Sequence, residues 1–294
     1  HERASDANTE QSKKSVIDGV MQEFADLIQG KISPMGLEVS IPTLTNAIRG
    51  FHFPRYAVLS AYPSGGKTLM AIQWLLDFSQ QGAECLFLGM EMPTDQVMKR
   101  AICTASGREP EAPYDPLNYA QRTGNATPST QHLESIRRAC RKIINSPIHF
   151  EEAIAPQIQE VLTIIRRAHK RHGVKVVAID YLQLIRDRSA RGNREQEMSN
   201  ISHALQAISK ELGLLVIVLS QLNQDGGTKY ATTTMEDVDY HFKILQVEDK
   251  DSDDYKKVTG IRIEKDRHTA RSGYKIPIER DPVGLVFKEV PQFN

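Results

Sequence analysis

A lysine and a threonine stand side by side at the head of an apolar helical pattern, directly behind a glycine pair, in the stretch AYPSGGKT at residues 61–68. Against the phosphate-loop spacing G-x-x-x-x-G-K-[ST] the stretch agrees at every fixed place but the first, where Ala61 replaces Gly. Gly65 and Gly66 carry no Cβ, so the backbone there can turn successive N–H groups toward one point. That point suits an anion, and a helix starting near Lys67 and Thr68 adds its unsatisfied N–H groups and the positive end of its dipole. In this reading Ser64, Gly65 and Gly66 wrap the phosphates of ATP, Lys67 reaches the β- and γ-phosphates, and Thr68 sets its hydroxyl on Mg²⁺. The plain alternative is a helix N-terminus behind an incidental Gly-Gly turn. The departure at Ala61 is tolerable if that residue keeps a negative φ.

Polar groups also follow three further apolar runs. Asp180 closes Val174–Ile179, and a carboxylate at the carboxyl end of a strand in an open α/β sheet falls beside a phosphate turn, where it can hold the Mg²⁺ shell. Glu91 follows the run Leu86–Gly89 at the same edge and can serve as the base that polarises water; its plain alternative is an acid in the first turn of the next helix. Ser220 and Gln221 end Leu215–Leu219, and the Gln221 amide can sense a γ-phosphate.

The elements that must position these groups alternate. Strand patterns at Tyr56–Ser60, Glu84–Gly89, Val174–Ile179 and Leu214–Leu219 are separated by helical patterns beginning near Lys67, Asp95 and Arg194. Short β-rich runs without polar alternation, separated by helices, predict an α/β fold with a mostly parallel sheet covered on both faces. The C-terminal quarter reads instead as hairpins extending the sheet, with strands at His241–Glu248, Gly260–Lys265, Tyr274–Glu279 and Val283–Val290; the acidic run Glu248–Asp254 reads as a solvated tip. Residues 1–14 are polar and aperiodic and read as a flexible linker, while Val16, Val20, Met21, Phe24, Leu27 and Ile28 make one apolar stripe on an isolated helix at 15–30. Such a stripe packs on its own domain or on an adjacent subunit.

Bulk properties bound the rest. A chain of 294 residues, 40% hydrophobic and 25% charged, can bury one large core with an appendage. Lys plus Arg and Asp plus Glu both number 37, so any polyanion site must be a local patch. Cys85, Cys103 and Cys140 show no metal spacing, and their odd number argues against a disulfide framework and for a reducing, cytoplasmic setting. No run is long and apolar enough for a membrane helix. The chain begins with His1 and reads as a piece lacking an upstream domain.

The stretches PSGGKT (63–68), LGMEM (88–92), IDYLQLI (179–185), NREQEMSNISHALQAISKELG (193–213) and VIVLSQLN (216–223) resemble, in order, the replicative DNA helicases of the DnaB type, bacterial or phage. The long string at 193–213 is far more specific than a phosphate loop alone. The resemblance implies a RecA-like P-loop ATPase at 37–294 behind a linker and subunit-docking helix at 1–36. It also implies a homo-hexameric ring on single-stranded DNA, ATP bound between subunits and 5′→3′ unwinding. The further partners it suggests are primase, a helicase loader and single-strand binding protein; the setting is the host cytoplasm if the chain is phage-encoded.

Carried over residue by residue, the resemblance gives Lys67 and Thr68 the phosphate and Mg²⁺ roles, Glu91 that of base, Asp180 the metal shell, and Gln221 that of sensor. Within IEKDRHTARSG (263–273) it makes Lys265 and Arg267 a pair reaching the γ-phosphate of a neighbour's ATP, as an arginine finger does. A surface ion-pair cluster is the alternative. Two loops are expected to face DNA. One carries Arg186, Arg188, Arg191 and Arg194, enough local charge to track phosphates unless it is simply a solvated basic loop. The other, 223–234, departs from the family's pattern and offers Lys229 and Tyr230. Three classes follow in order: a ring translocase, a RecA-type recombination or regulatory ATPase acting without unwinding, and a silent ring or loader-binding module. The last would need a broken site, whereas Lys67, Thr68, Glu91 and Asp180 are all present.

Overall fold

The computed structural model describes residues 2–31, 33, 35–107, 130–190, 192–222, 237–247, 257–281 and 286–290, and the chain divides into two units, 1–36 and 37–294. In the first unit one helix, α1 (Glu2–Ile28), closes on a turn with Gly30 at φ 66°. The expected linker at 1–14 is therefore corrected: from Glu2 onward these residues are helical. Neither Pro nor Gly interrupts them, and Glu, Arg, Ala, Gln and Lys all favour helix. Apolar periodicity reports which face of a helix is greasy, so its lack does not exclude a polar helix.

The second unit contains β1 (Arg55–Ala61), β2 (Cys85–Gly89), β3 (Ile148–Glu152), β4 (Val176–Asp180), β5 (Leu215–Gln221), β6 (Tyr240–Gln246), β7 (Val258–Asp266) and β8 (Lys275–Ile276). Among the described residues these form one sheet in the order β3-β2-β4-β5-β1-β6-β7-β8. Neighbours from β3 to β6 run parallel, and β7 and β8 are antiparallel additions. β9 (Ile278–Arg280) and β10 (Phe287–Glu289) make a separate pair. The single strand expected over Tyr274–Glu279 is thus split, and the break falls at Pro277, which has no N–H to give a ladder. Residues 282–285 and the acidic run Glu248–Asp254 lie outside the described residues.

Helices α2 (Pro42–Ile48), α3 (Lys67–Gln80), α4 (Thr94–Gly107), α5 (Thr130–Ile144), α6 (Ile158–His172) and α7 (Arg194–Leu212) accompany this sheet. Successive strand residues face opposite sides, and both sides of β1, β2, β4 and β5 are covered, which is why these strands read as unbroken apolar runs. On one side Ala57, Leu59, Ala178 and Ile217 pack with Trp74 and Phe78 of α3, and Phe51 stands 5.2 Å from the Trp74 ring. On the other, Val58, Val177, Ile179 and Val216 pack with Ile165 of α6 and Ile201 and Leu205 of α7. Helix α7 starts where its cap dictates: the Asn193 side chain accepts from Gln196 N–H at 3.1 Å, and Gly213 ends the helix at φ 64°.

The registers matter most for function. Ala61 pairs with Gln221 and Gly89 with Asp180, so β1, β2, β4 and β5 all end at one edge of the sheet, here the carboxyl edge. β7 runs back, placing Lys265 opposite His241 and Asp266 opposite Tyr240 at the other edge. Among the described residues no helix is long and apolar enough to cross a membrane.

Candidate nucleotide site and its surroundings

β1 delivers the chain into the turn 62–66, where Ser64 (φ 61°) and Gly66 (φ 88°) take left-handed backbone before α3 begins at Lys67. Ala61, the departure from the phosphate-loop spacing, keeps a negative φ. Glycine is needed further on: a Cβ on Gly65 would lie 2.8 Å from the Ala61 Cβ and 2.9 Å from the Tyr62 carbonyl oxygen. A Cβ on Gly66 would meet Phe287 Cζ at 2.6 Å and Arg280 Nη2 at 2.8 Å.

That crowding reveals a wall absent from the sequence reading. Gln73 of α3 accepts from Phe287 N–H at 2.7 Å and donates to the Phe287 carbonyl at 2.8 Å, tying β10 to the loop's helix. Arg280 donates to the Ser64 carbonyl at 2.9 Å and its guanidinium sits 5.6 Å from the Phe287 ring centre. No sequence signal marks these three, because 214 positions separate Gln73 from Phe287.

Thr68 donates from its hydroxyl to Asp180 Oδ2 at 2.7 Å, joining the first turn of α3 to the end of β4. Asp180 Oδ1 is buried and accepts no hydrogen bond from any described residue. Burial raises the Asp180 pKa, and the Glu91 charge pushes the same way; the Thr68 bond and the positive charges of Lys67 and Arg100 oppose it. A hydroxyl and an unsatisfied carboxylate oxygen side by side are the hard oxygen donors a divalent cation takes, so the residues present fit Mg²⁺. Lys67 lies beneath, its Nζ 3.5 Å from the Ala61 carbonyl. Burial lowers its pKa, and the charges of Asp180 and Glu91 pull it back up.

Glu91 is exposed, one residue past Met90, whose N–H donates to the Asp180 carbonyl at 2.8 Å. Its charge is felt at Lys67, Asp180 and Tyr181, which sets it at the mouth of the same site. Gln221 ends β5 at this edge, and the neighbouring Gln183 donates to Ser220 Oγ at 3.0 Å. The structure therefore brings Ser64, Gly65, Gly66, Lys67, Thr68, Glu91, Asp180 and Gln221 to one edge.

It does not bring Lys265 and Arg267 there. The Arg267 N–H donates to the Asp239 carbonyl at 3.2 Å, and an Asp239 carboxylate oxygen accepts from Tyr56 N–H at 2.9 Å. Arg267 thus stands by the start of β1, roughly 16 Å from Ala61 at ~3.3 Å per strand residue. Its guanidinium faces Asp239 at 4.0 Å and is 41% exposed.

Of the basic residues expected to meet DNA, Arg186 and Arg188 are exposed, the latter in the 3₁₀ turn Arg188–Ala190. Arg194 is built in: it donates to the Gln183 carbonyl at 2.6 Å and pairs with Glu197. Arg191, Lys229 and Tyr230 lie outside the described residues.

A family model described as the DnaB-like helicase C-terminal domain matches residues 36–236. The chain belongs to that family. It is 29% identical over 201 residues to the replicative DNA helicase DnaB of Rickettsia prowazekii, a match covering 65% of this chain and 39% of that protein. The chain therefore spans about two fifths of the length of such relatives. Among solved structures, an isolated ATPase domain superposes with a TM-score of 0.77 at 21% identity, covering 94% of this chain and 99% of that one. A DnaB-like replicative helicase, described with its interactions with primase, gives 0.74 at 22% identity over 93% of this chain and 66% of that one. The fold of this DnaB-like chain is that of the RecA-like ATPase domain, a mostly parallel sheet flanked by helices with added C-terminal strands. The family match ends before β6, so Lys265, Arg267 and Arg280 lie beyond it, within the part of the chain that the structural likenesses largely cover.

Proposed function

We propose that the chain is the motor domain of a replicative DNA helicase of the DnaB type. It hydrolyses ATP with Mg²⁺, works as a homo-hexameric ring, and moves 5′→3′ on single-stranded DNA to unwind duplex. The observation that carries this reading is the 2.7 Å contact of Thr68 with Asp180 above Lys67, with Glu91 at the same mouth, in a chain of a helicase family.

Each residue then has a task. The N–H groups of Ser64, Gly65 and Gly66 cradle the phosphates, and Lys67, held without full hydration, puts its charge on the β- and γ-oxygens. Thr68 and Asp180 would hold Mg²⁺, which would supply neutralisation of the charge on the phosphates. Glu91 takes the proton of the attacking water, and Gln221 reads whether a γ-phosphate is present. Lys265 and Arg267, at the far edge of their own sheet, serve the site of the next subunit. Exposed Arg186 and Arg188 track the DNA backbone, with Arg191 and Lys229 assigned beside them from sequence. The reading includes the docking of the helix at 1–36 on a neighbour, a cytoplasmic setting, and primase, a loader and single-strand binding protein as partners. A solved DnaB-like helicase described with its interactions with primase supports primase among these partners.

Two variants test the site. Lys67→Ala is expected to abolish hydrolysis and weaken ATP binding. Glu91→Gln is expected to bind ATP as the parent does and lose ~10²–10⁴ in turnover, the usual contribution of a general base. Parent-like turnover in Lys67→Ala, measured by phosphate release, overturns the cradle; weak ATP binding by Glu91→Gln makes Glu91 structural.

A further inference from the structure

Gln183 sits in the 3₁₀ turn Leu182–Leu184, just beyond Asp180. Its side chain grips the end of β5. The amide nitrogen donates to Ser220 Oγ at 3.0 Å and, more weakly at 3.4 Å, to the Gln221 carbonyl; its oxygen faces the Gln221 N–H at 3.5 Å. A neutral amide suits this, because it offers a donor and an acceptor on one planar group without a charge.

The Gln183 backbone carbonyl is held in turn by Arg194 Nη2 at 2.6 Å. Arg194 also donates from Nη1 to the Ile185 carbonyl at 3.5 Å and pairs with Glu197. Glu197 accepts the Asp187 N–H at 2.8 Å, and the Asp187 carboxylate gathers Ser189 at 2.7 Å and Asn200 at 2.7 Å. Asp187 lies between the exposed Arg186 and Arg188. An uninterrupted run of polar contacts therefore connects the end of β5, which carries Gln221, to the basic segment 186–188. The planar fork of Arg194 serves three acceptors at once, which a lysine ammonium on a flexible stem does not reproduce.

We infer that Gln183 and Arg194 are a positioning pair that couples nucleotide state, sensed at Gln221, to the basic segment 186–188. The inference rests on the helicase reading above. It also gives Arg194 a role other than the phosphate contact expected from its sequence neighbours: its charge is engaged inside the protein.

The test is ATP hydrolysis by the 294-residue chain with and without oligothymidylate. Gln183→Leu is expected to keep ATP affinity and DNA-free hydrolysis, while stimulation by the oligonucleotide falls roughly 3- to 30-fold, the range of couplings carried by such networks. Gln183→Leu combined with Ser220→Ala is expected to be no worse than Gln183→Leu alone, because both cut the same link. Arg194→Gln is expected to lose stimulation equally with no change in the salt dependence of oligonucleotide binding. A loss of about one in that slope identifies Arg194 as a direct phosphate contact and overturns its role here. Full stimulation in Gln183→Leu, or an equal fall with and without DNA, overturns the coupling. A parent chain that DNA does not stimulate removes the helicase reading itself and this inference with it.

Discussion

At the carboxyl edge of the sheet, parts from β1, β2, β4 and β5 meet within hydrogen-bond or charge range: Thr68 on Asp180, Lys67 beneath, Glu91 at the mouth. At the opposite edge Lys265 and Arg267 stand at the end of β7, with Arg267 in loose contact with Asp239 and 41% exposed. One edge gathers the phosphate loop and its carboxylates; the other displays Lys265 and Arg267 away from that loop, among the described residues. In the helicase reading the second edge acts on the site of another copy; in the plain reading it is a surface ion-pair cluster around Asp239.

The most severe challenge to that contrast is Arg267→Ala. ATP binding should persist while hydrolysis falls ~10³–10⁵-fold, the usual worth of an arginine finger. Mixing it with Lys67→Ala subunits should restore part of the activity, since an intact cradle can then face an intact finger. Undiminished hydrolysis by Arg267→Ala, measured with and without DNA, would return Lys265 and Arg267 to an ordinary surface cluster.

A second test bears on the strand that joins the two edges. His241 of β6 is half-buried, bonded to Ser60 Oγ at 2.8 Å, and its pKa is pushed down to about 4 by desolvation and by the charges of Lys243, Arg262 and Lys265. A lowered histidine is neutral in the fold and takes up its proton on unfolding, so its contribution is present above the unfolded value near 6.5 and is lost as pH falls toward 4. Over that window the loss is on the order of 3 kcal/mol. Denaturant melts from pH 7 to 4 should show a shallower acid slope in His241→Gln; identical slopes would mean His241 is hydrated.

The smallest effect on stability concerns Asp180. Its raised pKa means the charged form is disfavoured in the fold, so this stability is present below the unfolded value and lost as pH rises through the folded one. Asp180→Asn, which can still accept from Thr68, should stabilise the cation-free protein by about 1–2 kcal/mol at neutral pH. The gain should vanish toward pH ~4, near the ordinary carboxylate range. The same variant should lose Mg²⁺-dependent hydrolysis. A lower melting temperature at neutral pH would show that the ionised carboxylate is paired in solution.

Much of the carboxyl edge is legible in the sequence because its signals are local. The glycine pair, the lysine and threonine, the strand ending in Asp180 and the Asn193 and Gly213 caps around α7 each lie within one short stretch. β3 is hard to see because IHFEE is a short edge strand of mixed polarity. α6 carries readable signals that the strand-by-strand reading does not use, a Gln157–Glu160 capping box and Gly173 behind its last turn. The wall formed by Gln73, Arg280 and Phe287, and the clamp of Arg194 on Gln183, depend on tertiary contacts and leave no pattern in the chain. The hairpin reading of the C-terminal quarter does anticipate that β7 runs antiparallel to β6, the course that separates Arg267 from its own Lys67.

That antiparallel course bears on counting. If every working site takes its cradle from one chain and its finger from the next, an open row of n chains always ends in one unanswered cradle and one idle finger. Only closure answers them all. The fraction of bound nucleotide that can be turned over would then report topology: it equals one in a closed assembly and falls to (n − 1)/n the moment a single seam opens. A chain arranged in this way carries a gauge of its own ring closure in its burst stoichiometry, readable without an image.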